Sequence, residues 1–324
     1  MSSLIFFGAD QYSTVVLQRI IDDQNIAILA VVTDRAKPKD REQKVEPNPV
    51  EKLAITHNIK VSYYPDIDTS LINKDTLGLC ASFDHLLPPE IVGLFHGELY
   101  NLHPSLLPQY RNVSPVQYAL ALGDAETGIT LFRISSGIDN GEIVAQVAEP
   151  ILPDDTTPTL TKRLFEEGAE LLLQSYELCN RADHYKVRNF ANQPLIFTHR
   201  LTRDSGYVEW PVVQKLLADE PISPAETKNE LLRLRLGSDL KGSAQPRPNN
   251  LRGRSDPMGT KILSDLLRAL TPWPSVWTIC PTKKGNLRLT LVLTRSHTRY
   301  ATPEILIAGK PKPILWSEFT KYYL

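Results

Sequence analysis

Short apolar runs alternate with amphipathic stretches through the first half of the chain, and this alternation constrains the fold more than any other feature. The apolar runs have the length and composition of strands: LIFFG, IAILAVVT, IKVSYY and LGLCASF. The intervening stretches have helical spacing: TVVLQRIID, which Ser13 is expected to cap, and PVEKLAITHN and PPEIVGLF. Such alternation is typical of βαβ units. We therefore predict an α/β fold with a Rossmann-like, doubly wound, mostly parallel sheet.

The second half has a different character. With 324 residues the chain exceeds one domain of roughly 100–200 residues. A long helix is predicted from Thr157, its cap, and Pro158 onward, followed by polar, proline-bearing sequence and then KGSAQPRPNNLRGRSDPMG, typical of a flexible insertion. The runs LRLTLVLT and EILIA are β-rich. We predict an α/β domain at 1–182, a linker with an insertion at 183–260 and a small OB-like β domain at 261–324.

Composition excludes several classes of protein. Hydrophobic residues make up 42% and charged residues 23% of the chain, as in ordinary globular proteins. No apolar run approaches the ~20 residues that cross a bilayer. The three cysteines form no CxxC pair, and no secretory signal is visible, so we expect a cytoplasmic protein. A monomer is the working expectation.

Charge is spread unevenly along the chain. Residues 226–299 contain fourteen Lys and Arg but five Asp and Glu, although the whole chain has a net charge of −1. A basic segment of this kind suggests a polyanionic partner, and a solvated basic face is the alternative.

Common nucleotide-binding and catalytic motifs are absent. A GxGxxG fingerprint would need three glycines after LIFF, where only Gly8 is found, and GxxxxGK[ST], HExxH and GxSxG do not occur. The sequence gives no reason to expect a metal.

The run NLHPSLLP at 101–108 places two polar side chains at a predicted strand end. Successive strand residues alternate faces, so Asn101 and His103 project together, and Pro104 ends the strand. The carboxyl edge of an open α/β sheet is where ligands bind. Capping of the strand end through backbone hydrogen bonds is the alternative interpretation. Asp139, in the turn SGIDNG, could likewise bond only its own backbone.

Together, an amide, an imidazole and a carboxylate suit the attack of an amine on a formyl carbon. The amide and a protonated imidazole can donate to the developing oxyanion, at roughly 3–4 kcal/mol per donor. An imidazole titrates near pH ~6.5, and a nearby carboxylate favours its charged form and can relay the amine proton. No covalent nucleophile is required.

Three blocks in order resemble the folate-dependent formyltransferase family: NLHPSLLP (101–108), GDAETGIT (123–130) and GIDNGE (137–142). The resemblance covers roughly residues 4–180. It implies that Asn101, His103 and Asp139 are catalytic and that the donor is 10-formyltetrahydrofolate. It also implies donor contacts in three segments: Phe83, Leu86, Leu87 and Pro88; Ser105, Leu106, Leu107 and Pro108; and Ile138, Asn140, Gly141 and Glu142. Ordinary core and loop packing is the alternative for the leucines.

The acceptor implied by the resemblance is the α-amino group of initiator methionyl-tRNA. The stretch RAKPKDREQKVEPNPV (35–50) resembles a basic tRNA-contacting loop in which Arg41 and Lys44 align. Two glycines of that pattern are here Asp40 and Glu42, whose charge opposes phosphate contact.

The chain also resembles the family's linker at 197–210 and its entry to the C-terminal domain at 266–278. Only fifty residues follow Pro274, fewer than a five-stranded barrel usually needs, which predicts an abbreviated or open β domain.

The leading hypothesis is formyl transfer from 10-formyltetrahydrofolate to methionyl-tRNA. A sugar-nucleotide N-formyltransferase with the same donor is the nearest alternative, favoured by the weakened basic loop and the short C-terminal domain. A non-catalytic folate- or RNA-binding protein is the third.

Overall fold

The structure of the protein is a computed structural model, which describes residues 3–36, 38–39, 44–179, 195–237, 259–283, 285–293 and 303–324. The chain divides into two compact units that are each discontinuous in sequence. Unit 1 comprises Met1–Pro108, Gly128–Glu149 and Thr161–Ala191, and unit 2 comprises Gln109–Thr127, Pro150–Leu160 and Asn192–Leu324.

Strands and helices alternate in the first half and give way to helices followed by strands in the second. The strands are β1 (Ser3–Phe7), β2 (Ala27–Thr33), β3 (Pro38–Lys39), β4 (Lys44–Val45), β5 (Val61–Tyr63), β6 (Thr76–Ala81), β7 (Leu99–His103), β8 (Glu126–Arg133), β9 (Ile143–Pro150), β10 (Val276–Thr282), β11 (Gly285–Val292), β12 (Glu304–Ile307) and β13 (Ile314–Leu315). The helices are α1 (Gln11–Asp23), α2 (Pro49–Thr56), α3 (Pro89–Leu94), α4 (Pro115–Leu122), α5 (Thr157–Cys179), α6 (Trp210–Leu217), α7 (Glu230–Arg235), α8 (Gly259–Leu270) and α9 (Trp316–Tyr323). Short 3-10 helices lie at Thr69–Leu71, Arg203–Gly206 and Pro224–Glu226.

Unit 1 is built on a mixed, mostly parallel sheet with the strand order β5-β2-β1-β6-β7-β8-β9. The first five of these strands pair in parallel, and β8 pairs antiparallel with β7. The predicted Rossmann-like α/β fold is confirmed. Strands β3 and β4 form a separate two-stranded ladder.

The two faces of β7 are buried differently. Leu102 faces α5, where Gly168 allows the helix to approach Leu102 and Ile129 closely. On the opposite face, Leu99 packs in a core cluster with Phe7 and Phe95. Because strand side chains alternate, this apolar face continues along β7 into Asn101 and His103.

Helix α1 begins earlier than expected, because its N-cap is Asp10 rather than Ser13. The Asp10 carboxylate accepts from the backbone N–H groups of Tyr12 and Ser13 at 2.9 and 2.8 Å. Ser13 lies in the first turn, where its hydroxyl donates to the Ala81 carbonyl at 2.7 Å. Helix α5 begins at Thr157 itself, so this residue lies inside the helix that it was expected to cap.

Unit 2 contains the predicted small β domain as an antiparallel sheet with the order β10-β11-β12-β13. Part of the predicted linker is helical. Asn229 caps α7 through the N–H of Leu232, and the apolar side chains of α7 are buried. Residues 238–258 of the insertion lie outside the described part of the chain, and the division at 182 and 260 stays a prediction.

No helix among the described residues is both long enough and apolar enough to span a bilayer.

A buried carboxylate joins two helices of unit 2. Asp265 of α8 is 2% exposed and forms ion pairs with Arg235 of α7 at 3.3 Å, and with Lys261 and Arg268 of its own helix at 2.6 Å each. Three cations around one buried carboxylate make α7 and α8 mutually dependent, because removal of that carboxylate leaves buried positive charge without compensation.

Asp265→Asn is therefore expected to lower the free energy of unfolding by roughly 3–5 kcal/mol, as measured by urea denaturation. Asp66→Asn is the matched control, since Asp66 pairs with Arg35 at the surface, where both side chains are more than 60% exposed. The control should cost less than about 1 kcal/mol. Equal losses in the two variants would contradict the importance assigned to the buried cluster.

Candidate active site

The site is built on the carboxyl end of β7. His103 is the last residue of the strand and is 5% exposed, and Asn101, two residues earlier on the same face, is half-buried. The backbone turns directly after the strand, where the Ser105 N–H donates to the His103 carbonyl at 2.8 Å. The His103 imidazole therefore lies at the end of β7, where the hydrogen-bonded backbone of the strand fixes its position.

Asp139 is presented by the loop of residues 134–142 between β8 and β9. Gly137 and Asp139 both have left-handed backbones, with φ of +100° and +45°. This conformation is unstrained for glycine and tolerated by Asp. The tight turn directs the Asp139 side chain back toward β7.

Two contacts join the ends of this loop at Arg133 and Glu142, and we call this closure, with Gly141, the neck of the loop. The Arg133 N–H donates to the Glu142 carbonyl at 2.8 Å, and the Arg133 guanidinium lies 3.3 Å from the Glu142 carboxylate. Gly141 packs so tightly that a Cβ there would lie 1.6 Å from the Arg133 carbonyl oxygen. Glycine is required at position 141 because no other residue permits this approach.

The structure brings His103 and Asp139 together. His103 Nδ1 lies 3.5 Å from Asp139 Oδ2, and their side chains are 7% and 15% exposed. This distance is at the outer limit of hydrogen bonding, and such contacts commonly tighten when substrate binds. In this arrangement the carboxylate can accept a proton from the imidazolium, and the imidazolium can donate to a developing oxyanion.

The segment of residues 105–108 follows His103 directly, and its side chains point mainly inward. Ser105, Leu106 and Leu107 are 0%, 4% and 1% exposed, and Pro108 is half-buried. The side chains of Leu106 and Leu107 thus take part in core packing. Their contact with a donor stays a prediction.

The segment of residues 83–88 lies after β6 and contributes to the same apolar face. Phe83 packs edge-on against Phe7 at 5.8 Å, and Leu87 packs on the core cluster that contains Leu99. Leu86 is 78% exposed, and Pro88 is the exposed N-cap of α3.

Residues of the Asp139 loop that were predicted to contact the donor are more open. Ile138 is 41% exposed, and Asn140 and Glu142 are also exposed. Glu142 pairs with Arg133, as described above, and has a structural role at the neck of the loop.

The side chains of the two residues predicted to contact tRNA lie outside the described part of the chain. Arg41 lies outside the described residues. Lys44 begins β4, and its side chain is outside the described part of the chain.

Comparison with known proteins fits this geometry. A formyl transferase family model matches residues 2–175, which is more than half of the chain. The chain belongs to the formyl transferase family. Among curated relatives, it is similar to methionyl-tRNA formyltransferase of Limosilactobacillus fermentum, with 29% identity over 72% of this chain and 76% of that protein. The enzyme of the same name from Dictyoglomus thermophilum is 32% identical over 64% of this chain and 68% of that protein.

Among solved structures, the chain is similar to WlaRD, a sugar 3N-formyl transferase crystallised with dTDP and 5-N-formyl-THF. The TM-score is 0.54 at 17% identity, covering 96% of this chain and 99% of that chain. This likeness supports the fold of the formyl transferase.

The sequence analysis did not single out several polar residues that lie near the predicted donor segments or near His103. His85 lies 2.6 Å from Asp34 and stacks on Tyr64 with ring centroids 4.4 Å apart. Thr130 and Gln146, on β8 and β9, bond to each other and to the backbone of residues 105–107. These contacts depend on strand order and register, for which the local sequence carries no signal.

Cys80 pairs in register with Asn101, yet it is unsuited to covalent catalysis. Burial raises the pKa of the Cys80 thiol, so the thiol stays protonated and unreactive.

Near the neck of the Asp139 loop, burial and a hydrogen bond to Glu98 raise the pKa of Tyr100 to about 12, so it remains a neutral donor to that carboxylate.

The close packing of Gly141 allows the role of the loop in placing Asp139 to be tested. Gly141→Ala is expected to displace Asp139 from His103 and to lower formyl transfer about 100-fold, the effect of roughly 1 Å of misplacement. The matched control is Gly93→Ala in α3, where an added Cβ meets no atom within 4 Å. Initial rates and thermal melting should be measured for both variants. A wild-type rate in a folded Gly141→Ala variant would contradict the assigned role of the neck.

Proposed function

We propose that this formyl transferase moves the formyl group of 10-formyltetrahydrofolate to the α-amino group of initiator methionyl-tRNA. The observation that carries the proposal is the meeting of His103 and Asp139, 3.5 Å apart, in a chain of the formyl transferase family. The acceptor is suggested by the names of the relatives and by the basic stretch at 226–299.

In the proposed mechanism the amine nitrogen attacks the formyl carbon, and the carbonyl oxygen becomes an oxyanion. The Asn101 amide and the His103 imidazolium donate hydrogen bonds to that oxygen. Two such donors, fixed before the reaction, contribute roughly 3–4 kcal/mol each. Collapse of the tetrahedral adduct breaks the bond to the donor nitrogen, which must gain a proton as it leaves.

Proton transfer is the second task. The attacking amine becomes positively charged and must lose a proton before the adduct can collapse toward product. The Asp139 carboxylate lies 3.5 Å from His103 Nδ1, and it can accept that proton directly or through the imidazole. The amine and the leaving nitrogen thereby exchange one proton, and the protein returns to its starting state.

The donor would lie against the apolar face that contains Phe83 and Leu87. Flat heterocycles bind in apolar clefts with a few backbone donors and acceptors, and this face leads directly to Asn101 and His103. The other predicted donor contacts stay part of this proposal: Leu86 and Pro88, residues 105–108, and Ile138 with residues 140–142.

A sugar-nucleotide acceptor is the alternative, and one local feature bears on it. The N-terminus of α1 follows β1 at the carboxyl edge of the sheet, a position that commonly binds phosphate. Here the Asp10 carboxylate occupies those N–H groups and also accepts from the Ser82 hydroxyl at 2.7 Å. A fixed negative charge at this helix end disfavours a nucleotide diphosphate there.

One assay separates the acceptors. Purified protein is incubated with 10-formyltetrahydrofolate and either methionyl-tRNA or an amino-sugar nucleotide, and the formylated product is measured. We expect formyl-methionyl-tRNA, at a rate that falls steeply as salt rises, because phosphate contacts dominate RNA affinity. Formylation of the amino sugar alone would reject the tRNA proposal.

A second test separates catalysis from mere binding of folate or RNA. His103→Ala should abolish turnover while folate affinity stays within about tenfold, because loss of a transition-state contact lowers rate more than ground-state binding. His57→Ala is the control, since His57 is exposed at the end of α2. Turnover in His103→Ala equal to that of the control would remove the proposed mechanism.

A further inference from the structure

Thr130 and Gln146 are buried polar residues beside His103 to which the mechanism gives no role. Thr130 is 0% and Gln146 is 8% exposed. Thr130 of β8 is the register partner of His103 of β7, so the two side chains lie on the same face of the sheet. Gln146 of β9 continues this row through a hydrogen bond to Thr130.

The Thr130 hydroxyl uses all of its hydrogen-bonding capacity. It donates to the Ser105 carbonyl at 2.6 Å, and it accepts from the Leu107 N–H at 3.2 Å and from Gln146 Nε2 at 2.8 Å. Gln146 Nε2 also donates to the Leu107 carbonyl at 3.0 Å. Two side chains thus fix three backbone groups of the segment that follows His103.

The burial of Gln146 has a free-energy cost, and apolar packing alone does not explain why an amide lies at this position. Gln146 Oε1 is buried and meets no hydrogen-bond donor within the described residues. A buried carbonyl left without a donor lowers stability, whereas an aliphatic side chain of similar size would avoid that penalty. The amide is better explained by what its two N–H bonds hold in place.

We propose that Thr130 and Gln146 are positioning residues that hold the imidazole of His103 in line with Asp139. They act through the backbone of residues 105–107, because the Ser105 N–H donates to the His103 carbonyl at 2.8 Å while the Ser105 carbonyl is held by Thr130. A shift of Ser105 would move His103 with it. The expected effect on formyl transfer rests on the proposed function, whereas the expected effect on the position of His103 does not.

The test uses an isosteric change. Thr130→Val keeps the shape of the side chain and removes all three hydrogen bonds, and we expect kcat for formyl transfer to fall about tenfold or more while KM for methionyl-tRNA changes less than twofold. Thr130→Ser, which restores the hydroxyl, should recover most of kcat. Gln146→Met removes both N–H bonds at similar volume, and it serves as a second variant if Thr130→Val does not fold.

Thr76→Val is the matched control. Thr76 is 1% exposed in β6 of the same unit, and its hydroxyl accepts from the Asn73 N–H at 3.0 Å, at the strand end opposite to the site. We expect this variant to melt at a lower temperature with kcat unchanged. A purely structural role for Thr130 would make the two valine variants alike in kcat, and that result would overturn the proposal.

An NMR measurement that does not depend on turnover tests the positioning role separately from the proposed function. The imidazole NMR signals of His103, assigned with the help of His103→Gln, should shift in Thr130→Val and not in Thr76→Val. If no acceptor is formylated by the wild type but these signals shift, the function is wrong and the positioning role stands. Unchanged signals in a folded Thr130→Val variant would reject the positioning role.

Discussion

The antiparallel register between β7 and β8 is the constraint on which the site depends. It places His103 opposite Thr130 and Asn101 opposite Phe132, so both polar residues of β7 share one face with their partners on β8. A slip of one residue would turn all of these side chains to the other face of the sheet. The same pairing also sets where β8 ends, and therefore where the loop that carries Asp139 begins.

The polar groups of the site lie at the end of an apolar face rather than in open solvent. Leu99, Phe7 and Phe95 fill the core below, and His103 is nearly as buried as they are. Hydrogen bonds and charges act more strongly in such surroundings than in water. The imidazole and the carboxylate can therefore stabilise a short-lived adduct, provided that each is held firmly. We propose that the hydrogen bonds of Thr130 and the close packing at Gly141 hold them in place.

Much of this arrangement was predictable from the sequence, because it follows from periodicity and from the edge rule for open sheets. Alternating faces put Asn101 and His103 together, and the carboxyl edge is where a loop such as that of Asp139 can meet them. The predictions that failed concern choices between neighbouring polar residues. Asp10 and Ser13 are both good N-caps, and which one caps α1 depends on the Ala81 carbonyl, which lies 68 residues away from Ser13 and accepts its hydroxyl. Thr130 and Gln146 look like ordinary strand residues until the register is known.

In the proposed mechanism, Asn101, His103 and Asp139 act on the formyl group and on the acceptor amine. The chemistry of formyl transfer to an amine is the same whether the amine belongs to an aminoacyl ester or to an amino sugar, so acceptor choice must be made by other residues. In the proposed function Asp10 disfavours a small phosphorylated acceptor at the N-terminus of α1, because its own carboxylate accepts from the N–H groups there. An acceptor whose phosphates are distributed along a chain has no need of that single anion site, since its binding energy comes from many separate contacts with basic side chains. The occupied N-terminus of α1 and the basic character of residues 226–299 are thus two separate observations that support the proposed tRNA acceptor.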